Sequence, residues 1–259
     1  PAVLAASERG AEAFHRLGMY ALELGDEAVL EVGEFSLDGR SMRGVRQAVS
    51  RCERAGLRVA GDRVADLDDA TLATLRARAD EWRDGTVERG FSMALGRFGE
   101  REDDQAVVVL CRDEHDELRG LLHFVPWGAD GLSLDLMRRD RDCENGIVEQ
   151  MVATLMSAAS DLGVSRVSLN FAVFRSVFAR GERLGAGPVL RVWRAILLWA
   201  SRFWQIESLY RANAKYQPEW VPRFVCFRSS ADLPRVSVAA LRAEAFLVAP
   251  RWVQHVARR

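Results

Sequence analysis

Apolar positions along the chain follow two spacings. Val45, Ala48, Val49 and Cys52 recur at helical intervals among Arg43, Arg46, Arg51 and Arg54, which predicts an arginine-rich helix with one dry side from Ser41 to Ala55. Ser41 is its expected cap and Gly56 its stop. The same spacing predicts helices over Glu8 to Leu17, Leu67 to Trp82 and Asn145 to Leu162, the last ending at Gly163. A tryptophan-dense helix is expected over Leu190 to Ala212, and a final one from Pro234 to about Val248. Short apolar or alternating runs predict strands at Tyr20 to Leu24, Ala28 to Val32, Ala106 to Cys111, Leu118 to Val125, Leu132 to Met137 and Arg166 to Ala172. Asp113-Glu114-His115-Asp116 marks a hairpin, and Lys215 to Phe227 returns as loop and strand.

The order is an antiparallel meander, then a helix, then a strand able to lie parallel to the last one. That is the wiring of an acetyltransferase-like (GNAT-type) fold: an α/β (α+β) mixed sheet flanked by helices. The opening helix and two strands do not make a complete sheet. The expected division is therefore residues 1–40 as the end of a first acetyltransferase-like lobe, 41–56 as a basic connecting helix and 57–259 as a second, catalytic lobe.

Composition narrows the class. At 259 residues and 49% apolar, the chain can fill a large core and is neither disordered nor fibrous. Its longest apolar run, Ala195 to Ala200, is far short of a membrane span. The first ten residues lack the order of a secretion signal and read as the start of a cut-out domain. Cys52, Cys111, Cys143 and Cys226 have no metal-ligand spacing with one another or with the four histidines, so no metal is expected, only reduced thiols. The net charge of -1 hides a segregation: residues 61–150 hold 22 acidic and 12 basic side chains, residues 191–259 hold 4 and 12. A basic end of this kind suits a polyanionic partner, or else exposed helices with solvated arginines.

Candidate chemistry lies in three places. On the strand Leu132 to Arg138, alternation puts Ser133, Asp135 and Met137 on one face and Leu134, Leu136 and Arg138 on the other, unless a bulge re-aims Arg138. A lone Asp among apolar neighbours has to be paired or used. The following turn, Arg138 to Gly146, has three acids, Asp140, Asp142 and Glu144, and only one glycine, so it receives a coenzyme A pyrophosphate poorly. Between Leu209 and Phe224, Arg211, Lys215 and Arg223 alternate with Tyr210, Tyr216 and Trp220, a mixture that pairs phosphates and stacks on rings, or that packs a core turn under long basic stems. Lys215 is the single lysine beside 35 arginines.

The strings Ser133-Leu134-Asp135-Leu136-Met137-Arg138-Arg139, Ser168 to Arg175 and Tyr216-Gln217-Pro218-Glu219-Trp220-Val221-Pro222-Arg223, with Met42 to Val49 upstream, resemble the soluble C-terminal catalytic domain of the MprF family of aminoacyl-phosphatidylglycerol synthases. The likeness is greatest to the corresponding part of actinobacterial LysX proteins, which are lysylphosphatidylglycerol synthetases. It implies transfer of an aminoacyl group, lysyl by the LysX likeness, from aminoacyl-tRNA to the glycerol headgroup of phosphatidylglycerol, giving resistance to cationic antimicrobial peptides. It also implies action at the cytoplasmic face of the bacterial cell membrane, with aminoacyl-tRNA as co-substrate and no further cofactor. Fusion to an N-terminal transmembrane region and to a C-terminal lysyl-tRNA synthetase is part of the same expectation. The family's D-x-x-R corresponds to Asp135 and Arg138 as catalytic residues. Asn170, Arg211, Lys215 and Arg223, together with Tyr216 and Trp220, are the candidate substrate contacts, and Arg43, Arg46, Arg51 and Arg54 the candidate tRNA or phosphate contacts.

An aminoacyl-tRNA ester is already activated, so such an enzyme has to bring a hydroxyl into attack range, accept its proton and steady an oxyanion. The tryptophan-dense helix suits an anionic membrane surface or an ordinary core. Two other readings stay open: a soluble tRNA-dependent aminoacyltransferase with a small-molecule or peptide acceptor, and a non-catalytic RNA- or lipid-binding module.

Overall fold

The computed structural model describes residues 1–83, 98, 103–173 and 211–243. In chain order its elements are β1 (Ala2–Ala6), α1 (Glu8–Arg16), β2 (Tyr20–Glu31), α2 (Arg43–Arg54), β3 (Arg58–Arg63), α3 (Asp69–Arg83), β4 (Val107–Arg112), β5 (Leu118–Trp127), β6 (Gly131–Arg139), α4 (Ile147–Ala158), β7 (Arg166–Val173), β8 (Glu219–Phe227) and α5 (Leu233–Ala243). The eight strands form one sheet in the order β1-β8-β2-β7-β6-β5-β4-β3, antiparallel except where β7 lies parallel to β6. β3 to β6 are the expected meander, and α4 is the crossover to β7. Strands from residues 1–40 and from residues 57–259 share the sheet, with β2 seated between β7 and β8.

Both faces of the central strands are covered, which is why β4 is a continuous Val107-Val108-Val109-Leu110 run rather than an alternating one. Val107, Val109, Leu122, Phe124, Leu132, Val167 and Leu169 meet Val45 and Cys52 of α2 and Ile147, Met151 and Leu155 of α4. On the opposite face Val108, Leu110 and Leu121 meet Leu72, Leu75 and Ala79 of α3. The α3 cover does not extend to β7, β2 and β8, where that second face carries Glu27, Ser168 and Arg223 instead.

The departures from expectation have local causes. β2 is one strand of 12 residues, not two, because irregularities in pairing at Glu23/Gly25 and Glu27/Val29 carry it past its polar middle. β1 and β3 have no strong pattern because they are edge strands; four of the six β3 residues are exposed. Helix α2 starts at Arg43, and Ser41 does not cap it: Met42 holds the cap position without a side-chain hydrogen bond and is itself buried. Helix α4 starts only at Ile147, since Gly146 before it has a left-handed φ of 112°. The tryptophan-dense helix expected over Leu190 to Ala212 lies outside the described residues up to residue 210. Among the described residues, no helix is long and apolar enough to cross a membrane.

Candidate functional site

Asp135 is the extra residue of a β-bulge. On β5 and β6, His123 pairs with Leu136 and Phe124 with Leu134, so Asp135 faces no residue across the ladder. The bulge resets the alternation: Leu134 packs with the α2 and α4 layer, whereas Leu136 packs with the α3 layer. Directly opposed residues share a face, and Arg138 opposes Leu121, a member of the α3 layer. Arg138 and Asp135 therefore stand on the same side of the sheet. Simple alternation would have separated them.

The Asp135 carboxylate lies 3.2 Å from Nδ1 of His123, and both residues are buried. His123 was not among the candidate residues of the sequence. The available signal was a lone imidazole inside Leu121-Leu122-His123-Phe124-Val125, where a polar group needs a partner.

Beside this bulge the two parallel strands part. β6 and β7 pair only through Gly131, Leu132 and Ser133 with Arg166, Val167 and Ser168. Beyond that point side chains take over from the ladder. The Asn170 amide donates to the Leu134 carbonyl, and the Asn213 amide donates to the Leu169 carbonyl at 3.2 Å. Asn170 holds a φ of 76°, where β7 bulges against β2.

A buried polar chain leads away from the gap. The Asn170 backbone N–H donates to Ser168 Oγ at 3.2 Å, Ser168 Oγ donates to Glu27, and Arg223 donates to the other oxygen of Glu27. Burial draws the Arg223 guanidinium down from its ordinary value. Its charge also lies 5.8 Å from the ring centre of Trp127, over which Arg166 sits at 4.5 Å. Glu27, Trp127, Ser133, Arg166, Asn170 and Arg223 line a cavity of about 750 Å³, to which Glu8, Glu31 and Glu219 add carboxylates and Arg9 a further cation. Ser133 is two residues from Asp135 on the same strand, about 7 Å along it.

The remaining candidates lie elsewhere. Lys215 donates to Glu149 of α4 at 2.6 Å, Tyr216 is buried in the α2 and α4 layer, and Trp220 packs against that layer. These three are thus on the side of the sheet away from the cavity. Burial pushes the Tyr216 hydroxyl well above its usual range, and its oxygen has no hydrogen-bond partner among the described residues. Arg211 is exposed and helical. On α2, Arg43, Arg51 and Arg54 are exposed, with Arg51 3.5 Å from Glu144 and Arg54 bonded to the Ser50 carbonyl. Arg46 is tied down by bonds to the carbonyls of Leu37 and Gly39.

The turn before α4 is filled by its own groups. Asp140 accepts from the backbone N–H of Asp142 at 2.9 Å and from Arg119 at 2.8 Å, and these bonds hold its carboxyl below the ordinary range. Two backbone donors of this turn, the N–H groups of Asp142 and Cys143, are bonded to Asp140 itself.

Comparison with known proteins places the chain among relatives of similar sequence and fold. The family model described as phosphatidylglycerol lysyltransferase, C-terminal, matches residues 1–227. The lysylphosphatidylglycerol biosynthesis bifunctional protein LysX of Mycobacterium tuberculosis is 52% identical over 96% of the chain, and that of Rhodococcus jostii 53% over 97%. The chain spans about a fifth of those relatives, 21% and 22% of their lengths. Among solved structures, L-PGS from Bacillus licheniformis superposes with a TM-score of 0.77 at 21% identity, covering 95% of this chain and 73% of that one. A C-terminal domain from Agrobacterium fabrum gives 0.71 at 21%, covering 93% and 72%. At that identity the two structures establish a shared fold.

Proposed function

The chain belongs to the phosphatidylglycerol lysyltransferase C-terminal family, and from that footing we propose that it moves a lysyl group from lysyl-tRNA to a glycerol hydroxyl of phosphatidylglycerol. The observation that carries this reading is the cavity beside the parted strands, with Asp135 and Arg138 brought to its side of the sheet by the bulge.

The chemistry asks little of a cofactor. The glycerol hydroxyl attacks the ester carbonyl of the aminoacyl group, the new ester bond forms, and the bond to the tRNA ribose oxygen breaks. Asp135 takes the hydroxyl proton and returns it to the leaving ribose oxygen, while Arg138 offsets charge on the phosphate or the oxyanion. Carboxylates on the cavity rim suit the cationic lysyl group, and Arg166 and Arg223 suit phosphate. Asn170 keeps the gap between β6 and β7 in shape. Arg211 is read as a substrate contact and the exposed arginines of α2 as tRNA contacts, with Lys215, Tyr216 and Trp220 supporting the far side of the same gap.

On this reading residues 1–40 end a first lobe and lend β1 and β2 to the sheet of the second. The domain works at the cytoplasmic face of the membrane within a longer protein, as the bifunctional relatives suggest, and the product masks anionic lipid against cationic peptides. The test is incubation of the chain with individual charged tRNAs and vesicles of phosphatidylglycerol or phosphatidylcholine. Lysyl-phosphatidylglycerol is expected from lysyl-tRNA and phosphatidylglycerol alone; no lipid product from any pair would overturn the proposal.

A further inference from the structure

We infer that His123 is a positioning residue for Asp135, fixing the bulge carboxylate two residues along β6 from the cavity-lining Ser133 so that transfer depends on their contact. The inference rests on the reading of Asp135 as the group that handles the hydroxyl proton.

Backbone pairing does not set the direction of the Asp135 side chain, because a bulged residue has no partner across the ladder. Side-chain contacts have to, and His123 supplies one of them. The side chains of His123 and Asp135 are 0% and 3% exposed, and Nδ1 lies 3.2 Å from Oδ2. The far side of the imidazole is closed: its ring meets Phe98 edge-on at 5.0 Å between centres, and Nε2 has no hydrogen-bond partner among the described residues.

That enclosure decides the tautomer. A neutral imidazole carries one N–H. On Nδ1 it gives Asp135 a donor and leaves only a lone pair on Nε2. On Nε2 it would strand a buried donor and set two acceptors against each other, a cost of the kind that buried polar groups avoid. The Nδ1–H therefore donates to Asp135 Oδ2, and the rigid ring, wedged between β5 and Phe98, holds the plane of the carboxyl group. The dyad also sits at a boundary. Leu121 and Leu136 on one side of it belong to the layer under α3, while Ser133 and Trp127 on the other line the cavity.

The test compares wild type, His123→Phe, His123→Asn, Asp135→Asn and the His123→Phe/Asp135→Asn pair, using lysyl-tRNA and phosphatidylglycerol vesicles. Phenylalanine keeps the ring without a donor; asparagine restores an N–H near the Nδ1 position. Expected is a loss in kcat of about 10²-fold for His123→Phe with KM for lysyl-tRNA changed less than about twofold. His123→Asn recovers most of that loss, and His123→Phe costs nothing more once Asp135 is Asn. Full activity of His123→Phe overturns the inference, as does equal loss in both His123 variants or an additive double mutant. Imidazole ¹⁵N NMR reads the contact without turnover. A proton on Nδ1 is expected, and one on Nε2 overturns the inference. An inactive wild type would overturn the transfer reading instead, leaving the NMR result to decide the tautomer.

Discussion

The side-chain amide of Asn170 bridges to the carbonyl of Leu134 just beyond the point where their strands stop pairing with each other, and Asn170 does so from a left-handed backbone. Backbone and amide can be tested apart. Asn170→Gly keeps the conformation and loses the amide; Asn170→Ala loses both. The alanine variant should be less stable than the glycine variant by about 1 kcal/mol, the usual penalty of that conformation for a residue with a Cβ. Both should lose lysyl transfer. Thermal unfolding compares the two, and equal midpoints would show that β7 is not strained at this residue.

Glu27 and Arg223 form a buried ion pair in the wall of the cavity. Glu27→Ala should cost about 3 kcal/mol in urea unfolding, because it leaves a desolvated guanidinium without its carboxylate. The Glu27→Leu/Arg223→Met pair should regain much of that stability while remaining inactive. Activity in the apolar pair would remove both residues from the site.

The sequence conveyed the meander and the crossover because their strands are buried on both faces and their helices carry clear apolar stripes. It conveyed Asp135 as a lone carboxylate in an apolar strand and Arg223 as one of the cations between Leu209 and Phe224, but Asn170 only through family likeness, since it is one polar residue in an ordinary strand. What the pattern left open was the bulge: one extra residue in β6, which a period of two cannot locate, puts Arg138 on the same side of the sheet as Asp135. Glu27 and Ser168 were hidden for another reason. They are 141 positions apart and meet only through the pairing of β2 with β7.

Gly146 allows α4 to pack on α2. A Cβ there would come within 2.8 Å of the Ala48 Cβ and 3.2 Å of its Cα, on a backbone already at φ 112°. Gly146→Ala should therefore destabilise by about 2 kcal/mol or more, from conformational strain and overpacking together. A melting temperature equal to wild type would show that the helices can separate without cost.

Burial pushes the thiols of Cys52 and Cys111 up to about 11 and about 12 from an ordinary 9.0. A raised folded value means the protonated thiols favour the native state fully below pH 9 and progressively less as pH rises toward those values. Tyr216 adds to the same alkaline loss. Urea midpoints should hold from pH 7 to 9 and fall above it, and iodoacetamide at pH 8 should label half-buried Cys143 before Cys52 or Cys111. A midpoint that rises above pH 9, or labelling of Cys111 first, would contradict this.

The most direct test of the transfer site is a single turnover. Chain preloaded with radiolabelled lysyl-tRNA is mixed with phosphatidylglycerol vesicles, and the label in extracted lipid is followed for wild type and Asp135→Asn. Proton acceptance by Asp135 predicts lipid labelling by wild type and a rate at least about 10²-fold lower in the variant, with lysyl-tRNA bound equally by both. Transfer by Asp135→Asn at the wild-type rate would contradict it.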